Sequence, residues 1–155
     1  MHSFSRKRGF TFIIALFFLI NISPGNAQQV EDSALVNRFI RQGKDSLVAN
    51  PHYARKQILQ SLDMAGRIGY DKGLRDGYVQ LIDVYFQLSL PGDAYRAIRK
   101  LDSLNTPPDH FYSAKVAFGM GKYYEYESEY DSAVIFLVKA LAIAEKHGLE
   151  KSAIP

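Results

Sequence analysis

Apolar residues recur in this chain at spacings of three and four from Leu35 onward, and Pro, Gly and Asn interrupt the pattern at intervals. That period belongs to amphipathic helices rather than to strands. It is clearest over Ala114–His147. There Ala114, Ala117, Phe118, Gly121 and Tyr124 share one face of a first helix, and Ala133, Leu137, Ala140, Leu141 and Ala144 share one face of a second. Small residues stand where the two helices must cross, Gly121 on one and Ala133 and Ala140 on the other. Tyr124 and Leu137 are expected to fill the space beside the crossing.

The same period predicts four earlier helices. Residues 35–48 place Leu35, Val36, Phe39, Ile40, Gly43 and Leu47 on one side, and Asn50-Pro51 ends the run because a residue before Pro is pushed out of the helical region. Residues 53–67 carry Ala54, Ile58, Leu62 and Ala65, with Gly69 as a left-handed cap. Residues 74–88 turn Tyr78, Leu81, Ile82 and Tyr85 inward, up to the break at Pro91-Gly92. Asp93 is expected to cap the next helix, which runs to about Leu104 with Ala94, Ile98 and Leu101 inward. Asn105-Thr106-Pro107-Pro108 is a further break, Gly148 closes the last helix, and residues 149–155 read as the start of another. Residues 28–34 are expected to be a polar lead-in.

The helices pair into three hairpins, over about residues 35–73, 74–108 and 109–148. Their corresponding alanines, Ala54, Ala94 and Ala133, are set at intervals of 40 and then 39 positions, and RIGYDKG at 67–73 parallels KHGLEKS at 146–152. In the third hairpin, Ala117, Met120-Gly121 and Tyr124, followed by Ala133, Leu137 and Ala140, resemble the tetratricopeptide repeat. That pattern has a large residue, Leu-Gly and Tyr on the first helix and Ala, an aromatic and Ala on the second. Ala117 stands in place of the large residue, Leu137 in place of the aromatic, and Glu145 where Pro is usual; the period also exceeds the family's roughly 34 residues. The resemblance covers about residues 35–155. It implies an all-α solenoid of three helix-turn-helix hairpins, in which stacked neighbours bury the apolar face that no hairpin covers alone. Leu137, Val138, Leu141 and Ile143 would then leave an open apolar end, to be covered by further repeats, by a partner or by self-association, or else left bare in a weakly stable fragment.

Charge changes the picture at the N-terminus. Arg6, Lys7 and Arg8 precede the uncharged run FTFIIALFFLI, then Asn21, Ser23, Pro24-Gly25 and Asn26-Ala27-Gln28. Basic, apolar, then small is the order of a secretory signal peptide, here expected over residues 1–27 with cleavage after Ala27. The purely apolar part falls short of the roughly 20 residues that a spanning helix needs; the alternative is an uncleaved anchor over residues 10–22. Residues 1–27 hold three of the 19 basic side chains and none of the 16 acidic ones, so the rest carries 16 of each and balances. The sequence pI of about 9.0 is therefore no argument for nucleic acid. With no cysteine, the chain forms no disulfide and carries no lipid on one. The expected location is the bacterial periplasm, with membrane contact only through the targeting segment.

Candidate chemistry is sparse. His52, His110 and His147 are scattered at helix boundaries and form no i, i+4 metal pair. No phosphate-cradling Gly-rich loop follows a strand, and no Ser/His/Asp arrangement can be drawn. Gly119 and Gly121 form a short GxG, but within a helix, where close packing accounts for them. Glu129 and Asp131 suit the N-terminus of the following helix, whose dipole favours anions. The expectation is a protein without catalytic activity, cofactor or metal. Of the tyrosines, Tyr124 and Tyr130 are expected to face the hairpin core, Tyr123 and Tyr126 to face outward. In the repeat family a concave groove is lined by first-helix residues. Carried onto this chain, the resemblance implies Asp76, Val79, Asp83, Phe86, Gln87, Lys115, Phe118, Lys122, Glu125 and Tyr126, with Val36, Phe39 and Leu47 from the first hairpin. Aromatics would anchor a protein or peptide partner and charges would select it, unless Phe86 and Phe118 simply pack between repeats. An exported signal segment followed by long-period repeats resembles the sensor region of Bacteroidetes-type signalling regulators. The alternative is an enzyme-accessory or ligand-binding periplasmic protein with a peptide or carbohydrate pocket in the concave face.

Overall fold

Proline can begin a helix although it cannot continue one, because the N–H it lacks would be unpaired in the first turn anyway. Pro51 and Pro91 both open helices in this way. The computed structural model describes residues 24–149, and in them the order is α1 (Pro24–Ser46), α2 (Pro51–Ile68), α3 (Asp71–Gln87), α4 (Pro91–Leu104), α5 (His110–Tyr126) and α6 (Tyr130–His147). The described residues contain no strand. Of the expected targeting segment, residues 1–23 lie outside the described residues, as do residues 150–155 of the expected further helix.

Each helix packs on the next, and in addition α1 meets α3 and α3 meets α5. The chain is thus three hairpins set side by side, with α1, α3 and α5 adjoining. The alanines that set the register are inside as expected: Ala54 and Ala94 are fully buried and Ala133 nearly so. Ile58, Ile98 and Leu101 are the largest fully buried side chains, each worth about 1.5–3 kcal/mol of burial. A continuous cluster joins α2, α3, α4 and α5 through these residues and Ile82, Val84 and Tyr112. Within a hairpin the helices touch at glycine: a Cβ on Gly43 would lie 2.5 Å from Ile58 Cδ1. Between hairpins, a Cβ on Gly77 would lie 2.7 Å from Leu62 and one on Gly119 3.0 Å from Ile98. Gly119 and Gly121 are therefore packing residues.

The connections repeat as well. Gly69 and Gly148 both adopt left-handed φ, 66° and 59°, closing α2 and α6. In the α3–α4 turn, Ser89 N–H donates to Phe86 O and Leu90 N–H to Tyr85 O. In the α5–α6 turn, one repeat further on, Ser128 N–H donates to Glu125 O and Glu129 N–H to Tyr124 O. Asn105, the break after α4, is buried and joined three ways. It donates to Asp109 O and to Ser113 Oγ and accepts from Asp109 N–H.

Five expectations are corrected. Residues 28–34 are not a lead-in but part of α1. Gln28 donates to Asp32 one turn on, and Gln, Glu and Ala sustain a helix without burial. Asn50 and Pro51 do more than end α1: Asn50 caps α2 by accepting from Tyr53 N–H at 3.0 Å, and Pro51 is that helix's first residue. Asp93 is not a cap; it lies in the first turn of α4, capped by backbone at Leu90, and pairs with Arg96. Tyr130 does not face the core; it opens α6 beyond the last residue of α5 and is 66% exposed. Tyr123 does not simply face outward: it is half-buried, its ring 4.8 Å from that of Tyr95 on α4. Tyr124 faces inward as expected, stacked on Phe136.

Candidate partner-binding groove

Because α1, α3 and α5 adjoin, residues one repeat apart on them form rows. Lys44, Asp83 and Lys122 make one row, and Leu47, Phe86 and Glu125 the next. These rows border an open groove of about 720 Å³, lined by Leu47, Asp83, Phe86, Gln87, Lys122, Glu125 and Tyr126. That volume falls in the range of sites that hold small ligands or short peptide segments.

The groove has an aromatic shelf with a cation beside it. The Tyr126 ring stacks on Phe86, centroids 5.5 Å apart and planes 19° from parallel, while its hydroxyl donates to Phe86 O at 3.1 Å. Lys122 Nζ sits 4.8 Å from the centre of the Phe86 ring and 5.9 Å from that of Phe118, a cation–π contact of about 0.5–2 kcal/mol. Phe86 is consequently almost covered, 4% exposed, whereas Tyr126 offers 46% of its surface. Phe86 therefore acts as packing between hairpins and supports Tyr126, the ring a partner would touch.

Charge is concentrated behind the shelf. Burial raises the Asp83 carboxyl above the usual carboxylate range, opposed by the positive charges of Lys115, Lys122 and Lys44. Burial lowers the Lys115 ammonium, opposed by Asp83 and reinforced by Lys44. Lysines from α1 and α5 thus act on one aspartate of α3, with Glu125 among the groove-lining residues.

The other expected groove residues are placed differently. Val79 is buried, and with Lys115 and Phe118 it borders only a gap of about 10 Å³ under the groove, about the size of a single water. Asp76 is engaged: one carboxylate oxygen accepts from the Tyr112 hydroxyl at 2.7 Å, the other pairs with Lys72. Arg75 lies over the Tyr112 ring at 4.8 Å, and its buried Nε has no hydrogen-bond partner. Val36 is fully buried and Phe39 half-buried, and neither lines the groove. Lys44 was missed by the sequence reading; the signal that could have found it is its place one repeat before Asp83.

His110 and His147, far apart in sequence, stack with ring centroids 3.4 Å apart where α5 begins and α6 ends. Among the described residues no three His, Asp or Glu side chains converge on a point that could hold a metal, and no helix there is long and apolar enough to cross a membrane. No protein-family model matches this chain, and neither does any curated protein.

Proposed function

We propose that this chain is a non-catalytic, exported interaction scaffold, a tetratricopeptide-like stack that holds a segment of a partner protein in the groove across α1, α3 and α5. The observation that carries the reading is the Tyr126 shelf, a large and partly exposed ring fixed by both stacking and a hydrogen bond beside Lys122. A rigid aromatic loses little entropy on binding, which suits it to anchor an apolar side chain. Lys44, Lys115 and Lys122 outnumber Asp83 and Glu125 by one, which favours an acidic group next to that side chain. A role as the sensing portion of a signalling regulator is supported by the resemblance in the order of targeting segment and repeats, and export by the basic, apolar and small order of residues 1–27.

The test is selection of binding peptides from a random displayed library on the immobilised chain, repeated with Tyr126→Ala and Lys122→Glu. Both substitutions are at the groove surface and spare the buried Phe86. Peptides with an apolar or aromatic residue next to an acidic one should be enriched, and both variants should weaken their binding about tenfold or more. Equal recovery of the same peptides by both variants would remove the groove from the proposal.

A further inference from the structure

The groove differs from one end to the other. Asp83 and Lys122 lie about one turn before the ends of α3 and α5, whereas Gln87 and Tyr126 are the last residues of those helices. Leu47, which also lines the groove, follows the last residue of α1. The C-termini of α1, α3 and α5 therefore meet at one end of the groove, and each carries about half a negative charge.

The negative charge at that end is not answered by the helices themselves. α2 closes with Arg67 and α6 with Lys146 and His147, cations that suit a helix C-terminus. α3 and α5 have no basic residue in the last turn. α5 has Glu125 there instead, a sign that the helix dipole disfavours. Glu125 is exposed in the groove, and its carboxylate forms no ion pair among the described residues. Lys122, three residues earlier, is directed to the rings of Phe86 and Phe118.

We propose that this end of the groove is a subsite for a basic side chain, a lysine or arginine of the bound segment, held by Glu125 and the three C-terminal dipoles. It rests on the groove holding a peptide segment, and it adds to the acidic and apolar groups of that segment a positive one in a fixed place. The acid lies toward Lys44 and Lys122, the apolar side chain on Tyr126, and the base beside Glu125. Charge complementarity decides this order, because the reverse order would set the base against the lysines and the acid against Glu125 and the helix ends. The two poles are close together. Asp83 and Gln87 are separated by about 6 Å along α3, a length that an extended chain covers in about two residues. The segment therefore carries its acidic and basic residues about two apart, with the apolar residue between them, and either chain direction satisfies that order.

Synthetic peptides with blocked termini and a fluorescent label on a Gly-Ser flank test this. Their cores are Asp-Phe-Lys and Lys-Phe-Asp, each beside a counterpart with Gln in place of Lys. Fluorescence anisotropy with the full chain should show one of the lysine cores bound about threefold or more tighter than its glutamine counterpart. Glu125→Gln should abolish that preference. Glu125→Lys should turn it toward a core with Asp in the lysine's place. Glu125 is exposed, so both variants should keep the helical circular dichroism spectrum. Tyr126→Ala should weaken every core. Lysine and glutamine cores bound alike, with Tyr126→Ala weakening both, overturn the basic subsite and leave the groove standing. A lysine preference that survives Glu125→Lys also overturns the subsite. Binding of no core, or binding indifferent to Tyr126→Ala, overturns the groove itself and the subsite with it.

Discussion

Gly121 of α5 lies against Leu137 of α6 so closely that a Cβ on the glycine would come within 2.7 Å of both Cγ and Cδ2 of the leucine, with Ala133 O 3.3 Å away behind them. The hairpin has no room there for a methyl group.

Gly121→Ala should therefore lower stability by about 1–3 kcal/mol despite alanine's better helix propensity. Gly66, late in α2, has nothing within 4 Å of where a Cβ would be. Gly66→Ala should raise stability by about 0.5–1 kcal/mol, because only the propensity gain and the stiffer unfolded chain remain. Urea unfolding of both variants gives the two signs in one experiment.

Ser89 and Ser128 hold φ of 57° and 61°, in the left-handed region where a Cβ crowds the following carbonyl. Ser89→Gly and Ser128→Gly should each stabilise the fold by about 0.5–1 kcal/mol. Thermal unfolding of the single and double variants tests this. The turns are separate, so the two gains should add.

The Tyr112 hydroxyl is raised well above the usual phenol range, first by burial and then by its hydrogen bond to the Asp76 carboxylate. Unfolding releases the phenol to titrate near 10. Above that pH the unfolded chain binds fewer protons than the folded one, so stability falls as pH rises. The contribution is complete below pH 10 and is lost in alkali. Tyr112→Phe should flatten the alkaline arm of stability against pH between about 10 and 12, and it should cost stability at neutral pH through the lost hydrogen bond.

His147 is lowered from its ordinary value, first by desolvation and then by His110 and Lys146. A depressed histidine binds its proton less readily folded than unfolded. Its contribution is therefore complete above the unfolded value of 6.5 and is lost as pH falls from there through the lower folded midpoint. His110→Gln should raise the His147 midpoint toward 6.5. Proton NMR titration of the imidazole C–H signals measures it; an unmoved midpoint would mean that the stacked pair is not coupled.

The helices were legible because their period is local. A residue's neighbours three and four positions away report its face, and Ala54, Ala94 and Ala133 are buried where the register puts them. Helix starts were less legible: Pro51 and Pro91 read as breaks and are first residues, since proline's effect depends on which side of it the helix lies. Within the groove, Asp83, Phe86, Gln87, Lys122, Glu125 and Tyr126 do meet. Asp76, though on the same helix as Asp83 and Phe86, is taken up by Tyr112 and Lys72, and its bond to Tyr112 on a different hairpin gives no short-range signal. Lys44 could have been found by carrying the interval between Asp83 and Lys122 back to α1, where the same spacing holds.

The order of apolar, small and chain-breaking residues by itself determined that this protein is helical, where its hairpins turn and which alanines and glycines lie between helices. These are consequences of nearest-turn sterics and burial, and they act over a few residues. Tertiary structure alone decided which tyrosine is a shelf and which is packing, and that Val134 and Ile135 of α6 are exposed while Leu137 and Ile143 are half-buried. Exposure is set by what a neighbouring hairpin covers, and that neighbour is a whole repeat away along the chain.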